Sequence, residues 1–286
     1  MKQITLGKTK EKIPLIGQGT WGISRLFKDK EYYEQWKTSL RTGIELGMTH
    51  IDTAEFYGWG KAEEVVGELI KEYDRDELFI TSKLFPIHFR KKTMKKAAEV
   101  SLKRLDIKYL DLYLIHWPNP FISIEKDMKV LEELVKEGKT RYIGVSNFSV
   151  DQFKKAQDYL KSEELITNQL KASVEDQKVI HNSLSYYQQN DIIMTAYSPL
   201  GHKGLTDIDE ALKNKLQSVA ENHNATIQQI ALAWLITHKN VITIPKAFHL
   251  NHVKSNAKAA SINLSKREIE LLHTKQSDLL LTNFNT

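Results

Sequence analysis

The sequence of 286 residues contains no cysteine, which excludes disulfide bonds, a thiolate nucleophile and zinc sites with cysteine ligands. Long hydrophobic runs are also missing. The apolar segment Ile230–Ile236 is one of the longest, whereas a membrane-spanning helix needs about 20 apolar residues. The first residues, Met1-Lys2-Gln3, show no apolar signal region. We therefore expect a soluble, cytoplasmic protein that does not interact with a membrane.

Basic residues exceed acidic residues only slightly, with 41 Lys and Arg against 36 Asp and Glu, a net charge of +5. The lysine-rich segments 8–12 and 90–96 are typical of solvated surface. The sequence shows no zinc-finger, helix-turn-helix or RNP pattern, so we expect no nucleic-acid partner. A binding site for an anionic small molecule would use the same positive balance.

Two glycine-containing segments resemble phosphate-binding motifs. Gly17–Gly22 resembles a dinucleotide fingerprint, but no helix is predicted to begin directly after it. Gly7-Lys8-Thr9 resembles the end of a P-loop, but the required earlier glycine is missing. We interpret the second segment as the turn of a hairpin formed by Ile4–Leu6 and Lys12–Leu15.

Strand and helix patterns alternate along the rest of the chain. The predicted strands are Leu15–Gly19, Met48–Asp52, Leu78–Lys83, Leu110–His116, Tyr142–Ser146, Leu165–Leu170, Ile192–Tyr197 and Val241–Lys246. This alternation predicts the α/β class and a (β/α)8 TIM barrel, a single domain over residues 1–286. The N-terminal hairpin would cap the bottom of the barrel, and extra helices would follow strands 7 and 8. A doubly wound sheet is the alternative fold.

Four polar residues lie at or just after the C-terminal ends of early strands: Asp52, Tyr57, Lys83 and His116. We call these four residues the tetrad. Lys83 and His116 share a strand face with residues of apolar or core type, so they are predicted to point over the barrel mouth. Active sites of TIM barrels lie at this rim. The four residues are therefore candidate catalytic residues.

The tetrad has the chemistry of a proton donor. We expect the Lys83 ammonium to lower the pKa of Tyr57, and Asp52 to hold Lys83 charged and in place. His116 would hydrogen-bond and orient a substrate oxygen. This is general acid–base chemistry suited to protonating a carbonyl oxygen, and the accompanying hydride must come from a cofactor.

The sequence resembles the aldo-keto reductase family. The matching segments, in family order, are IDTAEFYG (51–58), FITSKL (79–84), DLYLIHWP (111–118), IGVSNFS (143–149), TNQL (167–170), AYSPLG (196–201) and IPKAF (244–248). The resemblance implies a (β/α)8 barrel, with Tyr57 as the acid of the tetrad. It implies NADPH-dependent, reversible reduction of an aldehyde or ketone, and hence a small carbonyl or alcohol substrate.

The resemblance also assigns residues to cofactor and substrate. Ser146, Asn147 and Gln169 would bind the nicotinamide carboxamide, and Tyr197 would stack on the nicotinamide. Lys246 would meet the 2′-phosphate, and Asn256 would lie near adenine. The cofactor residues are Ser146, Asn147, Gln169, Tyr197, Ser198, Leu200, Gly201, Lys246 and Asn256, and the pocket-lining aromatic residues are Trp21 and Trp117.

The sequence departs from the family pattern after Lys246. The family has an arginine in the following helix where His252 stands here, and arginine binds a phosphate more strongly than histidine does. Lys246 favours NADP(H), and the absent arginine leaves room for NAD(H) as well. His249 and His252 lack a third ligand, so we predict no metal site. The short segment Leu279–Thr286 predicts an open pocket.

Two alternative functions remain open. One is a Schiff-base enzyme with Lys83 as the nucleophile, which would require a deprotonated lysine; Asp52 argues against it. The other is a non-catalytic NADP-sensing regulatory subunit, like the potassium-channel β-subunits that share the barrel fold. The sequence does not distinguish among aldehydes, ketones and sugars as substrates.

Overall fold

Eight parallel strands form the centre of the fold, and each pairs with the next strand in the chain. The computed structural model describes residues 1–24, 26, 28–201 and 204–274. The strands are β1 Gln3–Thr5, β2 Lys12–Pro14, β3 Gln18–Gly19, β4 His50–Asp52, β5 Phe79–Leu84, β6 Leu110–Ile115, β7 Thr140–Ser146, β8 Leu165–Lys171, β9 Ile193–Tyr197 and β10 Val241–Thr243. β3 to β10 make up the parallel sheet. This consecutive order excludes the doubly wound alternative, in which the strand order reverses.

The first and last strands of the sheet are also connected, which closes it into a barrel. Ile16 and Gly19 form parallel bridges with Thr243 and Lys246. The backbone nitrogen of Gly17 donates to the carbonyl of Thr243, and that of Thr243 donates to the carbonyl of residue 15. The predicted (β/α)8 barrel is therefore confirmed.

Helices follow the barrel strands in the predicted alternation. They are α1 Lys30–Glu45, α2 Lys61–Ile70, α3 Lys91–Leu105, α4 Ile124–Lys136, α5 Val150–Tyr159, α6 Lys178–Asn182, α7 Leu184–Gln189, α8 Glu210–Asn222, α9 Ile227–Thr237, α10 Leu250–Ala259 and α11 Lys266–Leu272. Two helices follow each of β9 and β10, as predicted. The sequence predicted only one helix between β8 and β9, near residues 183–189, and missed α6.

Local sequence signals explain where several helices begin and end. Thr226 and Gln229 form a reciprocal capping box at the start of α9, and Ser149 and Gln152 do the same at α5. Gly47 lies just after α1 with φ of 88°, in the left-handed region that favours glycine at a helix C-terminus. These signals set helix boundaries that packing against the sheet then stabilises.

The hairpin of β1 and β2 lies against the N-terminal ends of the barrel strands. Leu6 and Ile13 are almost completely buried, in a cluster with Phe79, Leu112 and other apolar residues of the barrel interior. The backbone of Thr9 donates to Leu6, so residues 7–9 form a hairpin turn and no P-loop. The hairpin thus fills the bottom of the barrel and leaves the opposite rim for chemistry.

The rest of the core lies between the sheet and the helices. Within the described part of the chain, none of the helices combines the length and the apolar character needed to cross a membrane. The open pocket was predicted from residues 279–286, which lie outside the described residues. The single domain over the whole chain stays a prediction.

Candidate active site

The tetrad converges at the C-terminal ends of β4, β5 and β6. The Lys83 amine donates to Asp52 Oδ1 at 2.5 Å, to the Thr53 carbonyl at 2.9 Å and to the Tyr57 hydroxyl at 3.1 Å. The rings of Tyr57 and His116 meet edge to face, with centroids 5.7 Å apart. The structure therefore brings all four predicted residues together, with a phenol, an ammonium and an imidazole around one point.

The ammonium of Lys83 is held in its charged form although the side chain is completely buried. Burial favours the neutral amine, but the carboxylate of Asp52 and the hydroxyl of Tyr57 oppose it, and the net effect raises the pKa of Lys83. All three hydrogens of the ammonium have an oxygen acceptor. Lys83 is thus a fixed positive charge under the phenol.

Lys83 acts on the pKa of Tyr57 in the expected direction and lowers it, but the net pKa of Tyr57 is raised. Burial raises the pKa of the Tyr57 phenol, and the ammonium of Lys83 offsets only part of that effect. The physical reason is that phenolate loses its hydration in this buried position. In the protein by itself Tyr57 therefore keeps its proton at neutral pH, and Lys83 limits the cost of releasing it.

His116 is a neutral imidazole. Burial and the positive charge of Lys83 lower the pKa of His116 to about 2. Its ring stacks on Trp117 with centroids 3.8 Å apart, and the buried Nδ1 has no hydrogen-bond partner among the described residues. A neutral imidazole held in this way can exchange a hydrogen bond with a substrate oxygen without adding a second positive charge.

The residues assigned to the carboxamide form a chain of hydrogen bonds that begins at the tetrad. Gln169 Nε2 donates to Asp52 Oδ2 at 2.8 Å, and Ser146 Oγ donates to the Gln169 carbonyl at 2.9 Å. Asn147 Nδ2 donates to Ser146 Oγ and to the carbonyl of His116, both at 3.0 Å. The amide groups are therefore positioned beside the tetrad.

The aromatic residue predicted for the cofactor lies at the end of β9. Tyr197 is half-buried, and its hydroxyl donates to Asn147 Oδ1 at 2.8 Å, which fixes the ring next to the amides. Ser198 follows with φ of 50°, and Gly201 with φ of 67°. Leu200, between them, is partly buried. This tight turn places residues 198–201 just beyond the aromatic ring.

A separate group of predicted residues surrounds the start of α10. We call Lys246, Asn256 and the first turn of α10 the α10 end. Lys246 is exposed, and its amine lies 5.1 Å from the centre of the Trp21 ring, which is 54% exposed. Asn256 is buried, and no described side chain caps the first turn of α10 at His249. A lysine beside a helix start that has no side-chain cap suits an anion.

Two further residues at the barrel mouth were missed by sequence reasoning. Phe56 stacks on Phe85 with centroids 4.3 Å apart, and both rings meet Trp117 edge to face. They form an aromatic wall beside His116. Each lies next to a motif residue, Phe56 before Tyr57 and Phe85 after β5, so position at a strand end was the available signal.

The described residues include no group of three or more His, Asp or Glu side chains that could hold a metal ion. His249 and His252 contact each other, with ring centroids 5.6 Å apart. The donor set of the site instead fits a dinucleotide. Buried amides and an aromatic face lie beside the tetrad, and a lysine with an uncapped helix start lies at the other end.

A model of the aldo/keto reductase family matches residues 15–276, and the chain belongs to this family. It is accordingly an NAD(P)-dependent oxidoreductase. Among curated proteins, it is 36% identical over 261 residues to methylglyoxal reductase YeaE of Escherichia coli strain K12, covering 91% of this chain and 90% of that protein. It is 36% identical over 245 residues to glyoxal reductase of Bacillus subtilis strain 168, covering 84% and 83%.

Solved structures show the same family and fold. The thermostable aldo-keto reductase Tm1743, in complex with the inhibitor epalrestat, superposes with a TM-score of 0.90 at 43% identity, covering 95% of this chain and 98% of that one. An aldo/keto reductase of Klebsiella pneumoniae, in complex with NADP and acetate, superposes with a TM-score of 0.86 at 36% identity, covering 95% and 94%.

Proposed function

We propose that this protein uses NADPH to reduce a small aldehyde or ketone to the alcohol, and that Tyr57 donates the proton. The observation that supports this most strongly is the contact of the Tyr57 hydroxyl with the buried, charged Lys83 at 3.1 Å. NADP(H) as the cofactor is supported by the donor set of the site and by the NADP complex of the Klebsiella relative. The glyoxal and methylglyoxal reductases among its relatives make small dicarbonyl aldehydes the first substrates to test.

The nicotinamide, when bound, supplies the hydride that adds to the carbonyl carbon. Ser146, Asn147 and Gln169 would hold its carboxamide, Tyr197 would cover one ring face, and Lys246 would bind the 2′-phosphate. The first four of these side chains are already held in place, because each is hydrogen-bonded to a neighbouring residue. The pre-formed network therefore limits the reorganisation needed on binding.

The chain's own residues handle the proton and the developing negative charge on the substrate oxygen. Tyr57 keeps its proton until that charge develops, because burial raises its pKa. The ammonium of Lys83 stabilises the phenolate left behind, and Asp52 keeps the ammonium in place. His116, a neutral imidazole, orients the oxygen, while the aromatic wall shields it from water.

The lysine does not suit Schiff-base catalysis. A nucleophilic amine needs a free lone pair, whereas the Lys83 nitrogen is charged and donates to three oxygens. The NADP-sensing alternative would use the same cofactor site, and the similarity to named reductases argues against it. Tight NADPH binding without turnover on a broad panel of carbonyl compounds would favour the sensing function.

The test is oxidation of NADPH or NADH by the purified protein with glyoxal, methylglyoxal, aromatic aldehydes, ketones and sugars. Tyr57→Phe should lower the rate about 10²- to 10⁴-fold, because it removes the acid. NADPH binding, followed by tryptophan fluorescence, should persist. The matched control is Tyr187→Phe, which removes another buried hydroxyl. That hydroxyl accepts a hydrogen bond from Asn168 outside the barrel interior. Unchanged turnover in Tyr57→Phe would exclude Tyr57 as the acid.

A further inference from the structure

The first turn of α2 contains a carboxylate that is completely shielded from solvent. Glu63 is 0% exposed, accepts a hydrogen bond from Ser82 Oγ at 2.6 Å and forms an ion pair with Arg104 Nη1 at 3.0 Å. A buried charge is costly unless it is paired and hydrogen-bonded. Both oxygens of Glu63 are engaged, so this group is a built feature of the fold outside the barrel.

The partners of Glu63 connect the two segments that carry Tyr57 and Lys83. Ser82 directly precedes Lys83 in β5, and successive side chains of a strand point to opposite faces. Lys83 therefore points into the mouth while Ser82 points outward to Glu63. Glu63 itself lies in the helix that begins right after the turn of Tyr57. The carboxylate of Glu63 thus connects the segment that carries Tyr57 to the strand that carries Lys83.

The turn between Tyr57 and α2 has an unusual backbone. Gly58, Trp59 and Gly60 have φ of 56°, 55° and 86°, three left-handed residues in succession. This conformation is costly for Trp59, so neighbouring structure must hold it. A Cβ atom on Gly60 would lie 2.3 Å from Cζ of Arg104. The turn therefore packs closely against the guanidinium group that pairs with Glu63.

We propose that Glu63 and Arg104 are positioning residues that hold the Tyr57 hydroxyl within reach of the Lys83 ammonium. The inference rests on the proposed role of Tyr57 as proton donor. Neither residue contacts the tetrad. They act by fixing the turn of Tyr57 and the strand of Lys83 to each other, and a displacement of about 1 Å at a reacting group can cost about 100-fold in rate.

The test compares this ion pair with a similar one at the opposite end of the barrel. The test variants are Glu63→Gln, Arg104→Gln and the milder Ser82→Ala. The controls are Asp111→Asn and Arg75→Gln, since Asp111 is also 0% exposed and pairs with the partly exposed Arg75 at 2.6 Å and with the exposed Arg141 at 2.8 Å. Asp111 also accepts from the backbone of Ile80, so it too joins an arginine to β5, but near the bottom.

We expect the test variants to lower kcat about 10- to 100-fold, with KM and the NADPH Kd changed less than about threefold. The alkaline loss of kcat should move to higher pH, because Lys83 lowers the pKa of Tyr57 less effectively at a greater distance. Arg104→Lys should recover part of kcat relative to Arg104→Gln. Asp111→Asn should lose urea stability to a similar degree, and Arg75→Gln less, because Arg141 still pairs with Asp111. Both controls should keep kcat and its pH profile.

Several results would overturn the inference. A folded Ser82→Ala or Glu63→Gln protein with wild-type kcat and pH profile would do so, as would equal losses of kcat in the controls. If Glu63→Gln fails to fold, the kcat and pH profiles of Ser82→Ala and Arg104→Lys test the inference instead. The proposed function is tested separately by the wild type and Tyr57→Phe. If the wild type shows no turnover, both proposals fail. If the wild type is active and Tyr57→Phe is inactive, the proposed function stands and the other variants test only the positioning role.

Discussion

The Lys83 amine is buried and donates to three oxygens of its own chain, whereas the Lys246 amine at the α10 end belongs to an exposed residue and lies over the Trp21 ring. Both lysines were assigned to the site by sequence. The first is fixed by the fold before any ligand arrives, because an unpaired charge could not be buried there. The second is exposed, so in the proposed function it is available to the 2′-phosphate of the cofactor.

Because of this difference, we expect the two ends of the site to respond differently to amino-acid substitution. At the tetrad, geometry, charge and stability depend on the same contacts, so a substitution affects all of them. At the α10 end, a substitution should change affinity for one part of the cofactor and little else. The following four predictions test that contrast.

Asp52→Asn should have the largest effect. The substitution removes the charge that faces the buried Lys83, and breaking a buried ion pair from one side costs about 3–5 kcal/mol of unfolding free energy. NADPH oxidation should fall with it, which steady-state kinetics on the folded fraction measures. The control is Asp191→Asn, whose pair with Lys239 is exposed and 3.8 Å long, and which should change stability by less than about 0.5 kcal/mol. Equal effects would remove the contrast.

The pH dependence of stability should report the buried imidazole of His116. Its pKa in the folded protein is lowered to about 2, so between that pH and the usual value near 6.5 the unfolded chain binds a proton that the folded chain does not. Stability therefore falls as pH falls below about 6.5. This group contributes up to about 2 kcal/mol between pH 6.5 and 5. In His116→Gln, the unfolding free energy measured with urea should depend less steeply on pH. An unchanged pH dependence would contradict the lowered pKa of His116.

Lys246→Met should weaken NADPH binding about tenfold, because it removes the charged hydrogen-bond donor that we propose for the 2′-phosphate. NADH lacks that phosphate, so its Kd should stay the same. Fluorescence titration measures both constants. Lys258→Met, which replaces an exposed lysine in the last turn of α10, is the control and should change neither constant. A parallel loss of NADH affinity would show that Lys246 acts on the fold of the α10 end instead.

Asn256→Ala should have the smallest effect. A neutral hydrogen bond contributes about 0.5–1.5 kcal/mol, so the Kd should rise about two- to tenfold. Adenine is common to both cofactors, so NADPH and NADH should weaken equally, in contrast to Lys246→Met. Isothermal titration calorimetry with both cofactors distinguishes the two patterns. A loss confined to NADPH would place Asn256 at the phosphate rather than near adenine.

Much of the fold could be predicted because each signal is local. Alternating strand and helix patterns, glycines after helices and capping residues act within a few positions, and a parallel barrel is what such alternation produces. α6 was missed because a helix of 5 residues carries almost no periodicity. The tetrad could be placed on one rim because strand ends and side-chain parity are both readable from sequence.

The sequence by itself determined the barrel, the family and the residues of the tetrad, since these depend on residue type and order. Only the tertiary structure decided how the residues are connected: Gln169 bonded to Asp52, Tyr197 to Asn147, and Glu63 to Arg104. It also decided that burial outweighs Lys83 in setting the pKa of Tyr57. The physical reason is that hydrogen bonds and desolvation depend on distances between segments far apart in the chain, and residue order does not specify those distances.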